Sequence, residues 1–496
     1  MLDHEPLDDD PLGLRGDAPL LDAWLAAVRA ARDGTVLPFT TPGHKQRTGL
    51  VGTVVAGDLP LYGGLDTIRE THGTLAEAQR RAAGLWGADW CRFSVGGSTH
   101  GNQTLALAVG RPGRPVVVSR TLHRSMLLGL VLADLRPVWV HPPVDPATGL
   151  PGAVDPADVR AALADHPDAC AVLLGDPSYT GTSGDVTGQA TAAHDAGVPL
   201  IVDAAWGAHF GFHPALPPHA LAAGADALVT SVHKLLPAAN QASVVLARTR
   251  RSGGLLDADR LDRAFDASHT TSPAGRILAS IDAARALLAK HGVQRLGELV
   301  ETVTRARARL AAVPGLQVAA GRRPDGGVVE AARLVVLLAG SGADGRLIET
   351  DLLAAGLPVE LADRDTVAPI LTIGDRPEDV DRLVTALVAA VERHRGMPRP
   401  VAAAAAWSVR PEQAMAPRAA FFADHETVGA AAAVGRVSAE LVAPYPPGVP
   451  VLAPGEVITA DVVDLLRSTA ATGTRIAYAA DPGLATFQVV TGTGEA

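Results

Sequence analysis

Lysine and cysteine are both scarce in this chain of 496 residues. Only three lysines occur, Lys45, Lys234 and Lys290, although lysine and arginine together number 43. Because lysine is so rare here, a lysine at the end of a predicted strand is stronger evidence for a role than it would be in a lysine-rich chain. The two cysteines, Cys91 and Cys170, cannot form a disulfide framework, and both lie in apolar surroundings typical of small buried thiols. We therefore expect a reducing compartment.

The sequence also lacks any apolar run long enough to cross a bilayer, because charged residues and prolines interrupt its alanine-rich stretches. Its first ten residues are acidic and do not show the charged-then-apolar pattern of a signal peptide. A formal net charge of -10 gives no electrostatic reason to bind nucleic acid, and it favours a cationic small-molecule partner. We expect a cytoplasmic protein with neither a nucleic-acid nor a membrane partner.

Short apolar runs predict the strands of one α/β sheet. Helical segments lie between most of them, which is typical of a doubly wound, mainly parallel sheet. The predicted strands run from Cys91 to Val95, Val116 to Ser119, Pro137 to Val140, Ala171 to Leu174, Leu200 to Asp203, Ala227 to Thr230 and Ser243 to Ala247. The predicted helices include Leu20 to Arg32, Leu122 to Leu135 and Gln189 to Ala196.

The pattern divides the chain into four predicted regions. They are an N-terminal segment at 1–35, a large domain at 36–291, a small α+β domain at 292–396 and a C-terminal domain at 397–496. A long helix beginning over Ser272 to Lys290 leads out of the large domain. In the C-terminal domain the stretch from Pro444 to Pro450 cannot be helical, because of its prolines and glycine.

The small domain is predicted from a mixture of strand and helix patterns. Its expected elements are a strand at Ala332 to Leu338, a helix at Ile348 to Ala355, a strand at Ala368 to Ile373 and a helix at Pro377 to His394.

Lys234 stands in Ser231-Val232-His233-Lys234, directly after the apolar run Ala227 to Val229, where a buried strand would end. An amine held there can act as a nucleophile toward a carbonyl group. Taken alone, the same lysine also fits a solvated loop position, since most lysines are exposed. Its meaning depends on the residues that accompany it.

Two further sites accompany this lysine. Asp203 closes the predicted strand from Leu200, at the edge where open α/β sheets bind ligands, although an aspartate after a strand also commonly caps a helix. The glycine-rich turn from Gly96 to Gly101 opens a helix, and its free N–H groups, its hydroxyls and the helix dipole favour a phosphate. A phosphate cradle, an aspartate for a pyridine nitrogen and a lysine for an aldehyde together predict a pyridoxal 5'-phosphate site.

Short motifs extend over nearly the whole chain. They are Thr41-Pro42-Gly43-His44-Lys45, Gly64-Leu65-Asp66, Glu77-Ala78-Gln79, Gly96-Gly97-Ser98-Thr99-His100-Gly101-Asn102, Asp176-Pro177-Ser178-Tyr179-Thr180-Gly181, Ser231-Val232-His233-Lys234, Thr271-Ser272-Pro273, Leu278-Ala279-Ser280-Ile281-Asp282, Ser438-Ala439-Glu440-Leu441 with Pro444 to Pro450, and Pro454-Gly455-Glu456. With their order along the chain, these motifs resemble the ornithine/lysine/arginine decarboxylases, in the short bacterial form without an N-terminal wing domain. The resemblance implies a fold type I pyridoxal-phosphate enzyme of the aspartate aminotransferase superfamily, with a C-terminal decarboxylase domain.

The resemblance also implies residue roles. Lys234 would hold the cofactor aldehyde, Asp203 would pair with the pyridine nitrogen and His123 would stack on the ring, and these three would be the catalytic residues. The other cofactor-binding residues would be Ser98, Thr99, Thr180, Trp206, Ser231, His233 and Ser272. Trp206 replaces a histidine that many short-form members carry.

Thr271 and Ser272 resemble the segment that reaches the phosphate of a partner subunit, which implies a homodimer or a higher homo-oligomer. The implied reaction is α-decarboxylation of a basic amino acid. Arginine is the first choice of substrate, and its products would be agmatine and carbon dioxide. Lysine and ornithine are the alternative substrates. An aminotransferase or lyase, or a non-catalytic protein that binds the cofactor, remains open.

Two polar features complete the sequence-based expectations. His209 and His213 are spaced as metal ligands would be on one helical face, but Gly211 and Pro214 oppose a helix, so no metal site is expected. The carboxylate that meets the cationic end of the substrate is expected from another subunit or from the region around Glu456.

Overall fold

The computed structural model describes residues 10–37, 39–59, 72–324, 326–401, 409–445, 448–471 and 473–492. The motif Gly64-Leu65-Asp66 lies outside these residues, as do Pro446 and Pro447 of the predicted non-helical stretch. In the parts of the chain that are described, no helix is both long and apolar enough to cross a membrane.

A seven-stranded sheet forms the centre of the large domain. Its strands in chain order are β1 (Trp90–Ser94), β2 (Pro115–Ser119), β3 (Arg136–Val140), β4 (Val172–Gly175), β5 (Leu200–Asp203), β6 (Ala227–Ser231) and β7 (Ser243–Ala247). Their spatial order is β1-β7-β6-β5-β4-β2-β3, and β7 alone of these strands runs antiparallel to its neighbours. The predicted strands are confirmed to within one residue at each end, because strands buried on both faces read as continuous apolar runs.

Helices cover both faces of this sheet. They are α1 (Pro19–Arg32), α2 (Thr74–Leu85), α3 (Gly97–Val109), α4 (Arg124–Ala133), α5 (Pro156–Asp165), α6 (Val186–Asp195), α7 (Ala258–Ser268) and α8 (Gly275–Ala311), with the short helices Thr48–Val51 and Val232–Leu235. Neighbouring residues of a strand point to opposite faces of the sheet and pack in different apolar cores. Leu228 of β6 packs in the core that includes α2 and α8. Val229 packs in the core that includes α3, α4 and α7. The α/β fold class is confirmed.

Helix α8 is longer than predicted. It has 37 residues and therefore spans about 55 Å, continuing without a break through residues 291 and 292. The predicted border between the large and small domains thus falls inside a helix. The sequence pattern identified the start of this helix, but it did not show that the same helix enters both units.

The small unit contains a four-stranded sheet and two helices. Its strands are Gln317–Val318, Val336–Leu337, Leu361–Ala362 and Thr366–Ala368, and its helices are α9 (Gly345–Ala354) and α10 (Pro377–Arg393). The strand expected at Ala368 to Ile373 instead ends at Ala368. Pro369 follows it, and a proline has no N–H to continue the ladder.

The C-terminal unit has its own apolar core, which includes Leu452, Leu466 and Phe487. Two antiparallel pairs form it, His425–Gly429 with Thr486–Val490 and Ala443–Tyr445 with Arg475–Ala477. Its helices are Pro417–Phe422, Ala430–Ala433 and α11 (Ala460–Ala471). The strand Ala443–Tyr445 agrees with the prediction that this stretch is not helical.

A buried ion pair joins the C-terminal unit to the central sheet. Arg120, the residue after β2, donates to both carboxylate oxygens of Glu456, with an Nη2–Oε2 distance of 3.0 Å. The side chains are 5% and 0% exposed. Arg120 also donates to the carbonyl of Val451 at 2.7 Å, and its guanidinium lies 4.7 Å from the centre of the Trp139 ring. These contacts fix the C-terminal unit at the carboxyl edge of the sheet.

The Glu456→Gln change should destabilise the protein by about 3–5 kcal/mol, because it leaves the Arg120 guanidinium buried without its countercharge. Thermal unfolding followed by circular dichroism measures the effect. The matched control is Asp381→Asn, which removes an exposed pair with Arg309 and should cost at most about 1 kcal/mol. Equal shifts in the two variants would contradict a special role for the buried pair.

Candidate active site

A cavity of about 970 Å³ opens at the carboxyl ends of the parallel strands. The large domain contributes the start of α3 and the ends of β4, β5 and β6. The small unit contributes Asp363 to Thr366, and the C-terminal unit contributes residues that include Val449 and Ser468. The walls of one cavity therefore come from all three parts of the fold.

Lys234 lies on the one-turn helix Val232–Leu235, which follows β6 directly. Its Nζ is 4.0 Å from the centre of the Trp206 ring. Burial lowers the pKa of Lys234 below its ordinary value, the charges of Asp203 and Glu360 act in the opposite direction, and Arg333 adds to the lowering. The amine is therefore more available in its neutral, nucleophilic form than that of an exposed lysine.

Asp203, at the end of β5, is held by Asn102 of α3. Asn102 Nδ2 donates to Asp203 Oδ2 at 2.7 Å, and the backbone N–H of Ala205 donates to Oδ1 at 3.1 Å. A turn rather than a helix follows Asp203, so it does not cap a helix. Asn102 is fully buried, and its Oδ1 has no hydrogen-bond partner.

His123 caps the N-terminus of α4 and belongs to the same network. Asn102 Nδ2 also donates to Ser125 Oγ at 2.9 Å, and Ser125 Oγ lies 2.8 Å from His123 Nδ1. The Ser125 hydroxyl accepts from Asn102 and donates to Nδ1, so Nδ1 carries no proton and Nε2 does. Burial lowers the pKa of His123, and the charge of Asp203 opposes this shift.

Hydroxyl groups and the N-terminus of α3 form another end of the cavity. Ser98 Oγ and Ser231 Oγ are 2.8 Å apart and both are buried, whereas Thr99 is exposed. His233 Nδ1 donates to the carbonyl of Ala242 at 2.8 Å. Gly101 allows α3 to approach β6, since a Cβ at this position would lie 2.3 Å from Val229 Cγ2. This end could hold an anion.

Trp206 lies beside Tyr179 and Arg333. Tyr179 meets it edge-on with ring centres 5.0 Å apart, and the Arg333 guanidinium lies 5.0 Å from the Trp206 ring centre. Arg333 is buried, its Nε is 3.6 Å from Glu330, and its Nε and Nη2 have no hydrogen-bond partner. Thr180 is buried nearby and its Oγ1 is 3.2 Å from Ser178 Oγ.

The structure brings most of the sequence-predicted site residues to this one cavity. Its lining includes Ser98, Thr99, His123, Thr180, Asp203, Trp206, Ser231, His233 and Lys234. Ser272 and Thr271 do not line it; both are exposed, and Ser272 N donates to Thr270 Oγ1 at 3.2 Å. Sequence reasoning assigned no role to Asn102 or Arg333, although Asn102 ends the glycine-rich motif that begins at Gly96.

Two sequence-based expectations concerned the polar residues Glu456, His209 and His213. Glu456 itself is buried and paired with Arg120, so it is not free to meet the cationic end of a substrate. The origin of that carboxylate, from another subunit or from the rest of this region, stays a prediction. His209 and His213 lie in a segment without helix, and His209 Nε2 is 3.5 Å from Glu330 Oε2. Among the described residues, no group of three histidine, cysteine, aspartate or glutamate side chains could hold a metal.

Comparison with known proteins identifies the family. The sequence model of the Orn/Lys/Arg decarboxylase major domain matches residues 36–324, and that of the C-terminal domain matches residues 401–483. The chain is 33% identical over 467 residues to an arginine decarboxylase of Halalkalibacterium halodurans, covering 91% of this chain and 94% of that protein. It is 32% identical to an arginine decarboxylase of Bacillus subtilis, covering 86% and 89%.

A solved structure shows the same fold at low sequence identity. The lysine decarboxylase of Francisella novicida superposes with a TM-score of 0.80 at 18% identity, covering 96% of this chain and 81% of that one. The resemblance drawn from the motifs is therefore confirmed, and the chain belongs to the Orn/Lys/Arg decarboxylase family.

Proposed function

We propose that this protein is a pyridoxal-phosphate-dependent decarboxylase that converts arginine into agmatine and carbon dioxide. The observation that carries the proposal is the Lys234 amine, which is partly buried over Trp206 in the cavity that Asp203 and His123 also line. The curated arginine decarboxylases that the chain resembles over most of its length support arginine as substrate. Lysine decarboxylases are also among its relatives, at lower coverage.

The donor set of the cavity fits pyridoxal phosphate. The hydroxyls of Ser98 and Ser231 at the N-terminus of α3 suit the phosphate, and the Lys234 amine suits the aldehyde. The Asp203 carboxylate would hold a protonated pyridine nitrogen by a charge-assisted hydrogen bond. The face of the His123 ring would meet the pyridine ring. When bound, this cofactor supplies a protonated ring that accepts the electron pair left by the departing carbon dioxide.

The chain's own residues would control protons and charge around the substrate. Asp203 stays oriented because Asn102 fixes one of its oxygens and Ala205 N the other. Arg333 has unpaired N–H donors beside Trp206, and we propose that it binds the substrate carboxylate. After carbon dioxide leaves, the α-carbon must be protonated. Lys234 in its ammonium form, or His123 when its ring is protonated to the imidazolium, would donate this proton.

The substrate assay is the direct test of this function. The protein supplied with pyridoxal phosphate should release carbon dioxide and agmatine from arginine, and less product from lysine or ornithine.

The Lys234→Ala variant should release no carbon dioxide, and borohydride should no longer trap the cofactor on it. The control variant Lys290→Ala should keep both the activity and the trapped cofactor, since Lys290 Nζ donates to the carbonyl of Gly13. Product from leucine or glutamate but from none of the basic amino acids would overturn the proposal. Keto-acid-dependent amino transfer without carbon dioxide would favour an aminotransferase.

The Asp203→Asn variant should bind the cofactor and turn over on the order of a hundredfold more slowly, by loss of a preorganised charge. Because the Asp203 charge raises the pKa of Lys234, its removal should also shift the pH midpoint of borohydride trapping to lower pH. Rapid-mixing trapping across a pH series measures this shift. Asp259→Asn, whose side chain is 86% exposed, is the control and should change neither quantity. Near-normal turnover of Asp203→Asn would remove Asp203 from the catalytic residues.

We also propose that the enzyme is a homodimer or a higher homo-oligomer. Thr271 and Ser272 are exposed, as the proposed contact with a partner's phosphate requires. A group of apolar side chains near the N-terminus is exposed as well, with Phe39 exposed by 94%. Its other members are Val36, Leu37, Leu50, Val51 and Val54. Large exposed apolar side chains are typical of protein interfaces.

Sedimentation equilibrium should therefore give at least twice the chain mass of 50.9 kDa. The Ser272→Ala variant should keep this mass and require a higher pyridoxal phosphate concentration for half-maximal activity, because a phosphate contact is lost. A fully active monomer would contradict the assembly proposal.

A further inference from the structure

The cationic end of a basic amino acid needs a carboxylate within reach of Lys234. Several carboxylates near the cavity are already committed. Asp203 accepts from Asn102 and Ala205, and Asp365 pairs with Arg364 and Arg399. These carboxylates are therefore poorly suited to bind a second cation.

Two other cavity carboxylates are desolvated and held by the backbone. Asp176 accepts from Ser183 Oγ at 2.7 Å and from the backbone N–H of Gly184 at 2.6 Å, and burial raises its pKa to about 7. Asp363 accepts two backbone N–H groups, at 2.8 and 2.7 Å, and burial raises its pKa as well. Both oxygens of Asp176 therefore accept from groups of the chain, whereas both bonds to Asp363 are made by Oδ1. Burial raises the pKa of both carboxyls and so disfavours the charged form that a cation needs.

Glu360 has a different environment. It lies outside the cavity lining, directly before Leu361, which lines the cavity, and it is exposed. The Tyr179 hydroxyl lies 3.3 Å from Glu360 Oε1 and 3.4 Å from the backbone carbonyl oxygen of Glu360. These long contacts leave most of the capacity of the carboxylate to accept hydrogen bonds free. Burial, and after it the Glu360 charge, raises the pKa of Tyr179, so the phenol keeps its proton and is the donor. Glu360 also acts on the pKa of Lys234, which places it within electrostatic reach of the amine.

An aromatic surface leads from Lys234 to this carboxylate. Trp206 lies 4.0 Å from Lys234 Nζ, Tyr179 packs edge-on against Trp206, and the Tyr179 hydroxyl meets Glu360. An aliphatic chain with a cationic end packs well on such a surface and gains a charge pair at its end. Lys234, itself such a side chain, already contacts the first ring.

We propose that Glu360, oriented by Tyr179, is the specificity-determining residue that receives the cationic end of the substrate. This inference rests on the proposed decarboxylase function. Glu360 belongs to the small unit and Lys234 to the large domain, so a cationic substrate would bridge the two. A neutral side chain of the same shape would leave the carboxylate without its countercharge, and it would therefore bind less well.

The test compares arginine with citrulline, which has nearly the same shape without the charge. The Glu360→Gln variant should raise KM for arginine on the order of ten- to a hundredfold with kcat changed less than about threefold, the result of losing a binding contact. The preference for arginine over citrulline, expressed as a ratio of kcat/KM values, should collapse. The Tyr179→Phe variant should change KM and the preference ratio in the same direction but by less. The control is Glu349→Gln, which removes a carboxylate on helix α9 of the same unit and should change neither quantity.

Measurements of cofactor loading and thermal unfolding distinguish a failure of the proposed function from a failure of the Glu360 assignment. If the unmodified protein decarboxylates no basic amino acid, the proposed function fails. If it is active and Glu360→Gln keeps the preference for arginine, the assignment of Glu360 fails alone. A lowered unfolding temperature with equal loss on arginine and citrulline would show that Glu360 only docks the small unit, and it would also overturn the assignment. Unchanged cofactor absorbance in the variant is expected.

Discussion

The partial removal of the Lys234 amine from water is the constraint on which the rest of the site depends. A lysine in solvent is charged at neutral pH and is a poor nucleophile, so the fold must surround it without isolating a positive charge. Trp206 covers the amine, and the carboxylates of Asp203 and Glu360 limit the cost of burial. These groups come from separate strands and from two units of the fold, so the chemistry of one side chain requires their correct packing.

Helix α3 links the two ends of the cavity. Ser98 and Asn102 are four residues apart and therefore lie on one face of the helix. Ser98 reaches the end of β6 through Ser231, and Asn102 reaches the end of β5 through Asp203. A single rigid element thus sets the spacing between the hydroxyl pair and the carboxylate, and Gly101 lets that element pack closely against β6. The same asparagine, through Ser125, fixes the proton position on His123.

The sequence was sufficient for the strands and for residues that directly follow them. Buried parallel strands read as apolar runs, and Asp203 and Lys234 are recognisable because they interrupt such runs at the ligand-binding edge. Asn102, Arg333 and Glu360 were not found, since each acquires its role from a partner far away in sequence. The pairing of Glu456 was hidden for the same reason, because no local pattern shows that Arg120 neutralises it. The full extent of α8 was also hidden, because helical periodicity does not show where one packing unit ends.

The scarcity of lysine has a practical consequence now that the three side chains are placed. Lys290 is exposed and Lys45 is partly buried, and their ammonium groups are directed toward the backbone carbonyls of Gly13 and Thr40, while the cavity holds the third lysine. Arginine makes nearly all of the described ion pairs that do not involve histidine, and guanidinium groups do not react with acylating reagents under mild conditions. Amine-directed mass tags would therefore give three separate lysine-peptide signals, two from outside the cavity and one that reports on occupancy of the cavity.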